Sequence, residues 1–202
     1  LITVDQLSEL GRNSFTGAVG GTGNMTITQD VTITMVDSLI EFGAGTVDAN
    51  ETHALLRSRN IAPVGGSWST INDSMIIRND GNVGANITGS SSKSSGKGEN
   101  SLMCSSDTGQ CGAGLSDSGP GDPLSFAMRF TESESGACAD GASSSLGEIA
   151  LNDTIYQSCS CLKSGSSEDE IEIDLEVGIP ADADGDKSAT FTFYSSVSGT
   201  AC

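Results

Sequence analysis

Short runs in which apolar and polar residues alternate dominate this sequence. From Ile171 to Ile179 every second residue is aliphatic, and most of the residues between them are acidic. From Met25 to Met35 the odd positions are mostly apolar and the even ones are mostly threonine. A period of two is that of a β-strand with one face in a core and the other face towards polar surroundings. The pattern therefore predicts strands.

Further runs with strand character follow along the chain. They are Thr52 to Ser58, Met75 to Arg78, Val83 to Thr88, Leu124 to Phe130 and Phe191 to Ser198. The Asp-Gly pair within residues 79–82 is a hairpin signal and predicts that the two runs beside it form a hairpin. About eight to ten short strands separated by turn residues, with no long helical pattern, predict an antiparallel β-sandwich of immunoglobulin-like or jelly-roll-like type.

Composition divides the chain into an arm and a body. Residues 1–23 combine a short apolar segment with a linker, Gly17 to Gly23, in which four of seven residues are glycine. Glycine-rich linkers are flexible, so this part is predicted to extend from the body. Residues 24–202 are predicted to form a single sandwich domain. Within it, residues 89–122 are rich in serine, glycine and lysine and predict a long polar excursion held in part by a disulfide.

The arm carries apolar side chains that it cannot bury by itself. These are Leu1, Ile2, Val4, Leu7, Leu10 and Phe15. One interpretation is a donor strand that completes the sheet of a neighbouring subunit, which would generate a head-to-tail homopolymer. The other is a short helix from Asp5 to Leu10, capped by Asp5 and ended by Gly11, that docks on its own domain.

Charge narrows the range of partners. Asp and Glu outnumber Lys and Arg by 27 to 9, for a formal net charge of −18. Such a surface repels phosphate, so a nucleic-acid partner is not expected. No run approaches the ~20 apolar residues of a membrane span, so none is predicted.

Cysteines and glycosylation motifs predict an extracellular location. Six cysteines lie in the second half of the chain, at irregular spacings that favour disulfides over zinc ligands: Cys104, Cys111, Cys138, Cys159, Cys161 and Cys202. Five Asn-x-Ser/Thr motifs are candidate sites for N-glycans: Asn24, Asn50, Asn72, Asn86 and Asn152.

Residues for catalysis are sparse, and no enzyme activity is predicted. His53 is the only histidine, so a Ser-His-Asp site would have to be built around it. The acidic residues between Glu170 and Glu176 are interpreted as a solvated strand face, and alternatively as a surface for a basic partner.

One turn resembles a metal-binding loop. Asp182, Asp184 and Asp186 alternate around a Gly turn and could direct hard oxygen ligands at Ca²⁺, although the bidentate glutamate of an EF-hand is missing. A plain acidic turn is the preferred interpretation. No cofactor other than this possible structural Ca²⁺ is expected.

Three stretches carry a family resemblance: Val31 to Val47, Met75 to Thr88 and Ile173 to Phe193. They resemble the outer β-sandwich portions of secreted archaeal and bacterial filament or pilin-like subunits. The long apolar helix of type IV pilins and archaellins is not present, so the resemblance concerns the outer domain and filaments assembled by exchanged strands. It implies a structural subunit of an extracellular filament or pilus. The alternative function is a secreted adhesion or carbohydrate-binding module that uses Trp68 or the excursion at 89–122.

Overall fold

The protein is an all-β molecule built from two antiparallel sheets. The computed structural model describes residues 28–95, 102–103, 126–139, 149–150, 156–165, 167–181, 183 and 185–199. These residues contain ten strands and no helix. The predicted fold class is confirmed.

The strands follow the chain in this order: β1 (Ile33–Asp37), β2 (His53–Arg57), β3 (Ile61–Val64), β4 (Met75–Asn79), β5 (Ala85–Ser91), β6 (Phe126–Glu132), β7 (Ile149–Ala150), β8 (Tyr156–Leu162), β9 (Glu170–Pro180) and β10 (Phe191–Val197). The predicted arm lies outside the described residues, as do most residues of the predicted excursion.

The large sheet of seven strands is organised around β9, the longest strand. On one edge β9 pairs with β6, and on the other edge β4 and β2 follow one another along it. Strand β1 then pairs with β4, β3 with β2, and β7 with β6. The sheet is therefore forked on the β4/β2 side, and β1 is an edge strand of one branch.

The small sheet contains three strands in the order β10-β5-β8. Its inward residues pack against those of the large sheet because both carry the apolar half of an alternating pattern. The buried core draws on both sheets: Met75, Ile77, Met128, Phe130, Ile171 and Ile173 from the large one, and Ala85, Ile87, Cys159 and Leu162 from the small one. Strand β10 forms one edge of the small sheet.

The predicted hairpin between β4 and β5 is wrong. Strand β4 belongs to the large sheet and β5 to the small one, so residues 79–84 form an arch that crosses between sheets. The buried side chain of Asn79 holds the arch, since its Nδ2 donates to the carbonyls of Val83 and Leu162, both at 2.9 Å, and of Lys163 at 3.1 Å. Its Oδ1 accepts from the backbone N–H of Gly81 at 3.0 Å. Four satisfied bonds outweigh the local hairpin preference of Asp-Gly.

The prediction of a solvated acidic face on β9 is also wrong at two positions. Asp174 and Glu176 are only 4% and 5% exposed. Arginines on the neighbouring strands lie directly opposite: Arg129 on β6 faces Asp174, and Arg57 on β2 faces Glu176. The Arg57 Nε lies 2.5 Å from Glu176 Oε2. Asp174 and Glu176 thus face arginines across the strand pairs and are not part of a solvated face.

A disulfide joins the two sheets beyond β6. Cys138, which follows β6, is bonded to Cys159 of β8 across a sequence separation of 21. Backbone bonds from Ala139 N–H to the Cys161 carbonyl and from Lys163 N–H to the Ala137 carbonyl, both 2.9 Å, hold this segment beside β8. Cys161 is disulfide-bonded as well. Cys104, Cys111 and Cys202 lie outside the described residues.

Candidate strand-accepting groove

The two sheets separate along one side of the sandwich, between the edge strands β1 and β10. Inward residues of the inner strands β4 and β5 are buried throughout. By contrast, no residue of β1 or β10 is buried, and their inward side chains are only half-covered. The described core is therefore less well covered along β1 and β10 than along the inner strands β4 and β5.

A groove of about 460 Å³ runs between these two strands. Its walls are mostly apolar and come from both sheets: Ile33, Met35, Ser38 and Met75 on one side, and Ala189, Thr190, Phe191, Thr192 and Phe193 on the other. Phe191 is held in place by Phe126 of β6, with ring centroids 5.9 Å apart. A groove of this kind can take up apolar side chains in series.

On the free edge of β10, Phe191 and Phe193 both line the groove and direct their backbone groups outward. Ser92 N–H donates to the Thr190 carbonyl at 2.8 Å, and Ser198 N–H to the Gly84 carbonyl at 2.9 Å, so even-numbered residues of β10 bond to β5. In an antiparallel ladder the intervening residues direct their N–H and C=O to the other side. Phe191, Phe193, Ser195 and Val197 therefore point these groups away from β5, where no described strand pairs with them.

Strand β1 offers a shorter edge. Asp80 N–H donates to the Thr32 carbonyl at 2.8 Å, which directs the backbone groups of Ile33 and Met35 away from β4. A bulge between Met35 and Asp37 then interrupts the ladder. Thus two residues of β1 and four residues of β10 direct their backbone groups outward.

The edge strands differ in how they are protected. Proteins usually shield sheet edges with charges, prolines or bulges. Strand β3 carries Pro63, which has no N–H to offer, and β1 carries the bulge and Asp37. Strand β10, FTFYSSV, has no charged residue and no proline. The other edge of the small sheet, β8 (YQSCSCL), is uncharged too, but backbone bonds to Ala137 and Ala139 occupy part of its outer side. Because no described strand pairs with the outer side of β10, this edge is the best suited of those described to pair with another strand.

Exposed apolar residues flank the groove on both sides. Tyr194 and Val197 of β10 are 50% and 45% exposed, and Val36 of β1 and Leu39 after it are 48% and 58% exposed. They extend the apolar surface past the groove itself. A strand bound here would find apolar contacts on its outward face too.

The structure places three of the five candidate glycosylation sites. Asn50 and Asn72 are exposed, Asn50 in the turn before β2 and Asn72 opposite Arg59. Asn86 is half-buried at the second position of β5, opposite Ser196 of β10. Asn24 and Asn152 lie outside the described residues.

The other candidate residues are scattered. His53 begins β2 opposite Pro180, with its Nδ1 3.2 Å from Thr52 Oγ1. Of the possible calcium turn, Asp186 is described and exposed, whereas Asp182 and Asp184 lie outside the described residues. In the part of the chain that the structure describes, no group of three or more His, Cys, Asp or Glu side chains is placed to hold a metal ion.

The indole of Trp68 is packed into the domain beside two glycines. A Cβ added at Gly45 or Gly66 would overlap the Trp68 ring. Close approach of the backbone to the ring thus requires glycine at both positions. This contact half-buries the indole that the adhesion hypothesis invoked.

The groove was not among the sequence-based predictions, because its two walls come from segments more than 110 residues apart in the chain. One signal was present: β10 is an alternating strand without a single charge in a chain of 36 charged residues, 27 acidic and 9 basic. The arm residues predicted to seek a groove, Leu1, Ile2, Val4, Leu7, Leu10 and Phe15, lie outside the described residues.

The described residues form an antiparallel β-sandwich with a groove between β1 and β10. The chain matches no protein-family model, and no curated protein or solved structure is significantly similar to it. In the described residues there is no helix of the length and apolarity needed to cross a membrane.

Proposed function

We propose that this chain is a structural subunit of an extracellular filament, in which the arm Leu1–Phe15 of one copy is taken up by the groove between β1 and β10 of the next. The observation that carries the proposal is the groove: an apolar slot flanked by two strand edges whose outward backbone groups and inward side chains belong to the same residues. This is the arrangement that β-strand addition needs, with main-chain bonds for affinity and side-chain pockets for specificity.

The arm has the composition to fill such a slot. It is apolar at Leu1, Ile2, Val4, Leu7 and Leu10, and glycine-rich residues connect it to the domain. Each aliphatic side chain that becomes fully buried contributes about 1.5–3 kcal/mol. Because arm and groove are different surfaces, each copy can give one and receive one, and the contact is heterologous and open-ended. Disulfides and glycosylation motifs support an extracellular setting.

Deleting residues 1–15 tests this proposal. The truncated protein should keep the far-UV circular dichroism of an all-β domain but remain monomeric, since the groove then has no strand to receive. Electron microscopy and analytical ultracentrifugation of the intact and truncated chains give the result. Filaments of normal appearance from the truncated protein would contradict the proposal.

Point variants in the arm provide a matched comparison. In a bound strand Val4 would face the groove and Thr3 would face away, because successive side chains alternate. Val4→Asp should abolish polymerisation and Thr3→Asp should leave it largely intact. A wild-type chain that stays monomeric at all concentrations, its arm filling its own groove, would also overturn the proposal.

A further inference from the structure

Five of the described strands are sheet edges: β1, β3 and β7 in the large sheet, and β8 and β10 in the small one. Strand β7 is only two residues long, and residues 137–139 already pair with the C-terminal end of β8. The other three edges differ in what they offer. Strand β3 is four residues long and contains Pro63. Strand β1 has two outward residues before its bulge. Strand β10 keeps an unbroken register with β5 over all seven residues, from Phe191 opposite Ser91 to Val197 opposite Ala85.

We propose that β10 is the acceptor edge, so that the arm of the neighbouring copy pairs with the outward backbone groups of Phe191, Phe193, Ser195 and Val197 and extends the small sheet. This inference rests on the proposed function and identifies the strand that performs it. In this position alternate side chains of the arm enter the groove between Phe191 and Phe193 on one side and Ile33 and Met35 on the other. Strand β1 then lines the groove with apolar side chains and forms no main-chain hydrogen bonds with the arm.

Hydrogen-bonding capacity favours β10 over β1. Four alternate residues on β10 supply four N–H donors and four carbonyl acceptors, over a length of about 20 Å at the usual rise of a strand. The two outward residues of β1 offer half as many. A bulge also increases local twist, which turns the edge beyond Met35 away from a straight partner.

Charge favours the same edge. Like charges directly opposite one another destabilise a strand pair, and the arm carries Asp5 and Glu9. Asp37 ends β1, whereas β10 has no charged residue. An acidic arm can therefore lie along β10 without facing a carboxylate of that strand.

Proline substitutions on β10 can distinguish the loss of an added strand from the loss of the fold itself. The N–H of Ser195 points away from β5, so Ser195→Pro removes a donor that an added strand needs but no donor that the small sheet uses. Proline is tolerated in edge strands where its nitrogen faces outward. The N–H of Ser196 points to β5, so Ser196→Pro is the matched control, which should break the β5–β10 ladder.

The full-length chain is the material for the test. For Ser195→Pro we expect thermal unfolding close to that of wild type and a critical concentration for polymerisation raised on the order of tenfold or more, the effect of losing a bond and adding a steric block at the interface. Ser196→Pro should lower the unfolding temperature by several degrees. If Ser195→Pro itself fails to fold, the assignment of outward groups on β10 is wrong and the inference falls.

Strand β1 needs its own control, because its outward residues also line the groove. Ile33→Ala and Ile33→Pro remove the same apolar side chain, but only proline removes the outward N–H and obstructs the edge. Equal critical concentrations for these two variants support pairing on β10. A much higher value for Ile33→Pro, together with normal polymerisation of Ser195→Pro, would assign the ladder to β1 and overturn the inference while leaving the proposed function intact. If wild type does not polymerise, the proposed function itself fails.

Discussion

The side chain of Ser58 supplies a hydrogen bond at the point where the large sheet forks. Where β9 changes partner from β4 to β2, the N–H of Ser58 donates to the Leu175 carbonyl and the N–H of Leu175 donates to Ser58 Oγ, both at 3.0 Å. The hydroxyl also lies 3.4 Å from Asp174 Oδ1. The buried N–H of Leu175 therefore has a hydrogen-bond partner at the fork, and a buried backbone N–H without one would destabilise the fold.

Asp174 sits at this fork and gives the fold a pH dependence. Burial raises the pKa of its carboxyl above the ordinary 3.8, and the charge of Glu172 acts in the same direction; Arg59, Ser58 and Arg129 oppose the shift. A carboxyl with a raised pKa holds its proton more tightly in the folded state. Its contribution to the free energy of unfolding therefore decreases as the pH rises from 3.8 through the raised value.

Asp174→Asn should remove this decrease. Urea unfolding at a series of pH values is the measurement: the difference in unfolding free energy, variant minus wild type, should grow as the pH rises from about 4 towards 7. Asp80→Asn is the control of opposite sign, because hydrogen bonds from Thr34 and Arg78 lower the pKa of Asp80. Its stabilisation is present above 3.8 and lost as the pH falls. Parallel profiles for wild type and Asp174→Asn would contradict the assignment.

At the scale of elements, strands were predictable where one face is buried and the other is not. Strands β2, β4, β5, β9 and β10 follow alternating runs, because one-sided burial has the period of the pleat. Strand β3 has too little apolar contrast to be noticed, and two register shifts interrupt the pairing of β8 with β5. The Asp-Gly pair indicates that the chain turns between β4 and β5. Which sheet the following strand joins depends on tertiary packing, which the local sequence does not determine.

Asn79→Asp tests the element that makes this crossing. The change keeps the shape of the side chain but replaces a donor by a carboxylate against three carbonyls, in a residue that is 1% exposed. We expect a loss of several kcal/mol of unfolding free energy, the cost of a buried unpaired charge with its hydrogen bonds broken. Chemical denaturation measures it. Asn82→Asp, at an exposed position of the same arch, should cost far less, and similar losses for both would argue against the role of Asn79.

At the scale of the whole molecule, the net charge opposes the proposed assembly. Each copy carries a net charge of −18, so copies repel until salt screens them. The screening length falls from about 30 Å at 0.01 M salt to about 8 Å at 0.15 M. The groove lies between strands with few charges, so the proposed contact would form where the repulsion is least.

Polymerisation should accordingly accelerate with ionic strength. We expect the lag time seen by light scattering to shorten on the order of tenfold between about 0.01 M and 0.15 M salt. Circular dichroism at each salt concentration checks that the fold is unchanged. Monovalent salts and CaCl₂ at equal ionic strength should act alike if screening is the cause. An excess effect of Ca²⁺ would instead support metal binding, for which Asp182, Asp184 and Asp186 are the candidates, and slower assembly in salt would contradict the electrostatic account.

The coincidence of backbone and side-chain direction on β10 restricts how a polymer can be built. Phe191, Phe193 and Ser195 turn their peptide groups outward and their side chains inward. A guest strand displaced by one residue would therefore turn Thr3 and Asp5 into the slot in place of Ile2 and Val4. Only displacements of two residues, about 6.6–6.8 Å, keep the apolar set in place. The distance between successive subunits can therefore change only in two-residue steps, and a filament built in one register would have a fixed axial repeat.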